Sequence, residues 1–223
     1  MDIVVAHDPQ AAAAEAAAWV ARKLRNAVSR RGSATVAFSG GSTPALMFAA
    51  LVDLRVPWAA TTVFQVDERV APDGDADRNA PLLQVFRPCR PTIRLMPVTS
   101  VDAPHRGVKK YAALLPERLD VVHLGVGDDG HTASWPPGDP VIDDRSRVAM
   151  SGEYKGRVRM TLAVPTVNSA RHRLVLATGA SKAAIVERWL LHDPSLPIER
   201  VRRTDTVVVL DEAAATRLPH ERR

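Results

Sequence analysis

The chain has 223 residues, 46% hydrophobic and 25% charged, with a formal net charge of +5. That is enough apolar sequence for one sizeable core and too balanced a charge for a disordered chain. It excludes a disulfide framework, since Cys89 is the single cysteine, and a membrane-spanning helix, since no apolar run approaches the roughly 18 residues one needs.

The start, MDIVVAHDPQ, has no basic segment ahead of its short apolar run and does not read as a signal peptide. With one lone cysteine, a reducing, cytoplasmic setting is expected. The basic residues are scattered, mostly as arginine, and do not interleave with aromatics as single-strand binders require. The tightest cluster, ERVRR at 199–203, reads as a solvated face. No nucleic-acid partner is expected, and a small anion such as a sugar phosphate suits the charge as well.

In chain order, a β-branched run at 2–6 predicts the first strand. Asp8-Pro9 then opens a helix whose stripe is Trp19, Val20, Leu24 and Val28, with Gly32 as its stop. A second strand at 34–38 runs into SGGSTP and a helix at 44–53. There Gly40 and Gly41 let the backbone approach a ligand, Ser42 and Thr43 offer hydroxyls, and the helix start adds partial positive charge. The stretch is either a phosphate cradle or a capped turn. It lacks both the lysine of a Walker loop and the GxGxxG spacing of a dinucleotide site.

A third strand at 61–66 ends in Asp67-Glu68-Arg69. Arg69 could grip phosphate bidentately while the acids orient it, or the three could form an ion network. A helix is predicted at 79–86, an irregular proline-rich surface crossing at 86–98, and a helix at 105–115.

The strand at 120–126 delivers GVGDDGHTASWPP, with a helix expected to begin near Thr132. His131, with Asp129 two residues before it, has the parts of a general base and its orienting partner. The alternative is a capping histidine with its acids in water. Asp128 is expected in solvent, and WPP has no physical explanation at this level.

Strands follow at 158–164 and 172–178, then GASK and a helix at 181–192, a strand at 205–210 and a helix at 211–217. Lys182 in a first helical turn is electrostatically misplaced unless an anion binds there or solvent screens it. The alternation predicts an α/β protein, a doubly wound and mostly parallel sheet with helices on both faces, in one domain spanning 1–223. Ligands of such sheets bind at the carboxyl ends of the strands, where all these loops lie. Neither metal nor cofactor is called for, because the seven histidines are scattered. The number of subunits is not readable, and a monomer is compatible.

Taken together, SGGSTP (39–44), DER (67–69), GVGDDGHTAS (125–134), VRMTLAVPTVNSA (158–170) and GASK (179–182) resemble the 6-phosphogluconolactonase family over about residues 30–190. The resemblance implies a fold similar to that of glucosamine-6-phosphate deaminases and ribose-5-phosphate isomerases. It also implies hydrolysis of 6-phospho-D-glucono-1,5-lactone in the oxidative pentose phosphate pathway. His131 would then be the general base and Asp129 the acid beside it. Arg69 and Lys182 would bind phosphate, with Gly40, Gly41, Ser42 and Thr43 as the cradle and Asp67 beside the substrate.

Two places depart from the pattern: Arg78-Asn79 where the family usually has Ser-Asn, and ASWPPG where it usually has ASLFP. Arg78 is expected to point to solvent. A deaminase-like isomerase is the nearest alternative, disfavoured by DER in place of DEY and by the missing glutamate after the histidine turn. A non-catalytic sugar-phosphate sensor is the other, disfavoured by the short stretch ahead of the first site strand.

Overall fold

The computed structural model describes residues 1–99 and 104–219, with the side chains of 104 and 105 left aside. The strands are β1 (Asp2–Ala6), β2 (Ala34–Phe38), β3 (Thr61–Gln65), β4 (Asp67–Arg69), β5 (Thr92–Arg94), β6 (Val121–Leu124), β7 (Val148–Tyr154), β8 (Arg157–Leu162), β9 (His172–Ala177) and β10 (Thr206–Asp211). The α-helices are α1 (Pro9–Arg31), α2 (Ser42–Val52), α3 (Pro104–Leu114), α4 (Val164–Ser169) and α5 (Ala183–Leu190).

Seven strands form one sheet in the order β1-β10-β9-β6-β2-β3-β5, every pair parallel. From β2 the chain builds outward through β3 and β5. It then returns to β2's other side with β6 and builds away through β9 and β10. The reversal leaves a crevice between β2 and β6, where the loops after these strands part in opposite directions.

The α/β reading therefore holds, with corrections. The 158–164 run, expected in the parallel sheet, is β8 of a separate antiparallel sheet, β4-β8-β7. A buried apolar run does not reveal which sheet it joins. The proline-rich crossing contains β5, which forms the parallel sheet's edge. The predicted helix at 79–86 is a 3-10 run over Ala80–Cys89, with prolines at its start and near its end.

At 211–217 the chain makes turns instead of a helix. Asp211 ties them by accepting from Ala214 N (2.8 Å) and Gly179 N (2.9 Å), and Pro219 follows too soon for a helix to propagate. The 181–192 helix divides into a 3-10 turn, Ala180–Lys182, and α5.

Helix α1 starts as its sequence dictates: the Asp8 side chain accepts from Ala11 N (2.7 Å) and Gly32 closes the far end. Its buried face differs from the expected bulky stripe. Val20 and Leu24 are buried, Trp19 and Val28 only partly, and the rest of the contact is Ala12, Ala13, Ala16, Ala17, Ala21 and Ala27. Alanines bring the helix axis close to the sheet, which suits a chain poor in large aromatics.

On that face Phe38, Phe48, Phe86 and Trp58 form one cluster, with Phe38 stacked on Phe86 at 5.5 Å. The opposite face packs α3, α4 and α5 around Tyr111, Trp135 and Trp189.

His123 of β6 lies against Phe38 and Phe48 with ring centroids 6.0 and 6.3 Å away. It is fully buried, and among the described residues neither ring nitrogen has a partner. Burial pushes its pKa down to about 3, so the folded protein holds it neutral. The unfolded chain takes up a proton near the ordinary histidine value of 6.5 that the folded chain refuses until about pH 3. Stability is therefore full above that unfolded value and falls as the pH drops. Between pH 7 and 5 this one residue costs about 2 kcal/mol. Urea unfolding at the two pH values should show the loss, and His123→Leu should remove most of it. An unchanged pH dependence in that variant would exclude His123 as the source.

Candidate active site

The loops at the crevice enclose a cleft of about 280 Å³. It brings together Gly40, Gly41, Ser42, Thr43, Asp67, Arg69, His131 and Lys182 from four separate loops. Asp129 does not line it and stands behind His131.

The cradle comes from β2 running directly into α2. Gly41 occupies the helix cap position and no side chain caps the first turn, so its N–H groups are left for a ligand. Thr43 Oγ1 meets Thr178 Oγ1 at 3.0 Å, joining the cradle to the end of β9.

The DER segment divides its labour. Glu68 is completely buried and accepts from Gln65 Nε2, Arg69 N, Asn79 N and Ala80 N at 2.7–2.9 Å. Arg78 Nε lies 3.1 Å from the same carboxylate, and its Nη1 donates to Ala71 O (2.9 Å). Arg78 is thus a buried counter-ion, not the solvent-facing side chain expected. Its partner lies ten positions back and only the fold reveals it. A serine at 78 could not neutralise Glu68.

Asn79, fixed by Glu68, accepts from Arg69 Nη1 (2.5 Å), and the same nitrogen donates to Asp77 O (2.9 Å). Arg69 is therefore held with the rest of its fork toward the cleft. Asp67 is buried and accepts from Ser134 Oγ at 2.7 Å. Burial raises its pKa, while the Ser134 bond and the Arg69 charge oppose the rise.

The histidine loop is a tight turn, without the helix expected near Thr132. Gly127 N donates to His131 O (2.8 Å) and Gly130 N to Gly127 O (3.0 Å), and Thr132 bridges to Trp135. A Cβ on Gly127 would collide with the His131 imidazole, so only glycine lets the ring lie against the backbone there.

His131 Nδ1 lies 2.5 Å from Asp129 Oδ1, and the Tyr154 hydroxyl donates to Asp129 Oδ2 at 2.6 Å. Burial works to raise the pKa of Asp129, but the bonds from Tyr154 and His131 prevail and hold it below the usual carboxylate range. An ionised Asp129 can only accept. The proton of a neutral His131 therefore sits on Nδ1 and the lone pair on Nε2.

Lys182 Nζ lies 2.6 Å from Asp128 Oδ1. Asp128, expected free in solvent, is exposed but engaged in this ion pair. Trp135, from the unexplained WPP, is fully buried, and its Nε1 donates to Leu162 O at 2.9 Å. It pins the end of the histidine loop to β8.

The sequence reading missed Lys155 and Arg159, which also line the cleft, and Tyr154, whose ring both of them cover. These belong to the β7–β8 hairpin, where Tyr154 pairs with Arg157 across a two-residue turn. Lys155 and Gly156 there have φ of 51° and 74°, the geometry of a type I′ turn. The Lys-Gly pair between alternating strands was the available signal. Among the described residues, no helix is long and apolar enough to cross a membrane, and no three His, Cys, Asp or Glu side chains converge as a metal site.

An open parallel sheet whose switch point gathers an uncapped helix start, cations and a carboxylate-held histidine is the layout of a site for a small anionic ligand. The chain belongs to the glucosamine-6-phosphate isomerase/6-phosphogluconolactonase family, whose model matches residues 7–210.

Within it the chain falls among the 6-phosphogluconolactonases. It is 34% identical over 179 residues to the 6-phosphogluconolactonase of Synechocystis, covering 73% of this chain and 74% of that one. It is 33% identical over 194 residues to that of Nostoc, covering 81% of each. The 6-phosphogluconolactonase structure from Trypanosoma brucei superposes with a TM-score of 0.85 at 27% identity, over 98% of both chains.

Proposed function

We propose that the chain hydrolyses 6-phospho-D-glucono-1,5-lactone to 6-phospho-D-gluconate, with His131 as general base. The observation that carries this reading is His131, oriented by Asp129 and facing a cleft that also holds an anion cradle. Nε2 takes a proton from water as the water oxygen bonds to the lactone carbonyl carbon. The tetrahedral intermediate collapses by breaking the bond to the ring oxygen, and the imidazolium returns the proton to that oxygen. Asp129, kept ionised, stabilises the imidazolium, and Tyr154 fixes the carboxylate's second oxygen. The α2 start, with Gly40, Gly41, Ser42 and Thr43, receives the phosphate together with Arg69 and Lys182. Lys182 exchanges Asp128 for it. The chain acts as one α/β unit, and no cofactor enters the steps.

The test is a coupled assay with freshly generated lactone, timed against its spontaneous hydrolysis near neutral pH. A rate no greater than the spontaneous one would overturn the reading, and ammonia released from glucosamine 6-phosphate with no lactonase activity would replace it by the deaminase. Arg69→Ala and Lys182→Ala should each raise KM roughly 10-fold or more with kcat little changed, since each removes a charged hydrogen bond formed equally in ground and transition states. A variant that kept wild-type preference for phosphorylated over unphosphorylated lactone would remove that residue from the phosphate site.

A further inference from the structure

Arg159 lies directly across from Arg69 in the β4–β8 ladder, so the two side chains leave the small sheet on one face and both line the cleft. Only 6% of Arg159 is exposed. Among the described residues its guanidinium donates no hydrogen bond, and Nε is sealed from solvent without a partner. What it touches instead is the face of Tyr154, 5.2 Å from Cζ to the ring centroid.

Other buried arginines have acceptors or a counter-ion. Arg173 donates to Thr206 Oγ1 (2.9 Å) and Ala170 O (2.7 Å). Arg78 Nε also makes no hydrogen bond, but it lies 3.1 Å from the Glu68 carboxylate and its Nη1 donates to Ala71 O. Ser39 Oγ, also on the cleft, is likewise buried without a partner. The orphaned nitrogens of Trp58, Trp189 and His123 belong to the two cores.

A buried guanidinium without acceptors, next to a second cation, is a costly arrangement. Burial and the Arg69 charge both lower its pKa, and Asp67 opposes them. Asp67 cannot serve as its partner in full, because Ser134 occupies one of its oxygens and burial disfavours its charge. A dianion between the two forks would remove the repulsion and supply acceptors to both, whereas a sugar hydroxyl would leave the repulsion in place.

We infer that Arg159 is a substrate-contacting residue, gripping with Arg69 the phosphate of the sugar lactone. This rests on the proposed lactonase reading and adds to it a cation that none of the five sequence motifs singles out as a site residue. It also makes the β7–β8 hairpin part of the phosphate site.

The experiment compares wild type, Arg159→Met and Arg159→Lys at fixed ionic strength. It measures calorimetric affinity for 6-phosphogluconate and turnover of phosphorylated and unphosphorylated gluconolactone. In Arg159→Met, 6-phosphogluconate binding should weaken roughly 10–100-fold. KM for the phosphorylated lactone should rise in step, with kcat and the turnover of unphosphorylated lactone near wild type. Arg159→Lys should lie between, because an ammonium keeps the charge and loses the fork.

Unchanged affinity, equal losses with both lactones, or a fall in kcat at constant KM would each overturn the inference. The last of these would mean that Arg159 acts through Tyr154. Should Arg159→Met not fold, Arg159→Lys decides alone: a loss selective for the phosphorylated ligand supports the contact, and wild-type affinity refutes it. If the wild-type protein binds 6-phosphogluconate through Arg159 yet turns over no lactone, the catalytic reading fails while the phosphate contact stands.

Discussion

Replacing His131 by alanine should abolish lactone hydrolysis and leave 6-phosphogluconate binding nearly intact. The rate should fall by about 10²–10⁴-fold, the usual contribution of a positioned general base. The separation is expected because the groups assigned to phosphate lie on other loops: the start of α2, Arg69 of β4 and Lys182 before α5. The side chain removed touches Asp129 and Tyr154, neither of which lines the cleft. Product affinity is the control, since a collapsed loop would lower both readouts. Activity within threefold of wild type would exclude His131 as the base, and parallel loss of binding would mean that it mainly builds the site.

The largest effect on stability should come from Trp135→Ala. The indole is fully buried among the residues of the α3–α5 core, so its removal combines lost burial with a cavity at the junction of the two sheets. Such truncations cost about 3–5 kcal/mol, and the Leu162 carbonyl would lose its donor as well. For a domain of this size the melting temperature should drop by roughly 6–20 °C. Trp135→Phe keeps one aromatic ring but loses the hydrogen bond and part of the buried volume, and it should cost less than the alanine variant, about 1–3 kcal/mol. Thermal and urea unfolding of both variants measure these values. A Trp135→Ala protein within 1 kcal/mol of wild type would show that the loop is anchored elsewhere.

The parts of this molecule that were legible in its sequence share a physical property. Strands β1, β2, β3, β6, β9 and β10 are short runs rich in β-branched and aliphatic residues, and the parallel sheet follows from their alternation with helices. Gly40 through Thr43, Arg69, His131 and Lys182 stand where strands end, so their convergence follows from the topology of such sheets.

What escaped was set by partners distant in sequence or by very short elements. β4 and β5 have three residues each, too few for a periodic signal. Arg78 looks like any surface arginine until Glu68 is seen beneath it. Tyr154 lies 25 positions from the aspartate it bonds, and Arg159 sat inside a run read simply as a strand. The stripe chosen on α1 favoured large residues, whereas close packing there selected alanines.

The small antiparallel sheet has a consequence for how this architecture can change. His131, Gly40 through Thr43 and Lys182 all hang from the carboxyl edge of the parallel sheet. The facing side is the small antiparallel sheet, whose β4 follows β3 after Val66 and which the histidine loop fastens through Ser134 and Trp135. Substitutions at the tip, Tyr154 to Arg159, can thus redraw the shape and charge of the substrate's berth without disturbing any strand order. Tyr154 is the exception, because its hydroxyl also holds Asp129 behind His131, so a change there reaches both sheets.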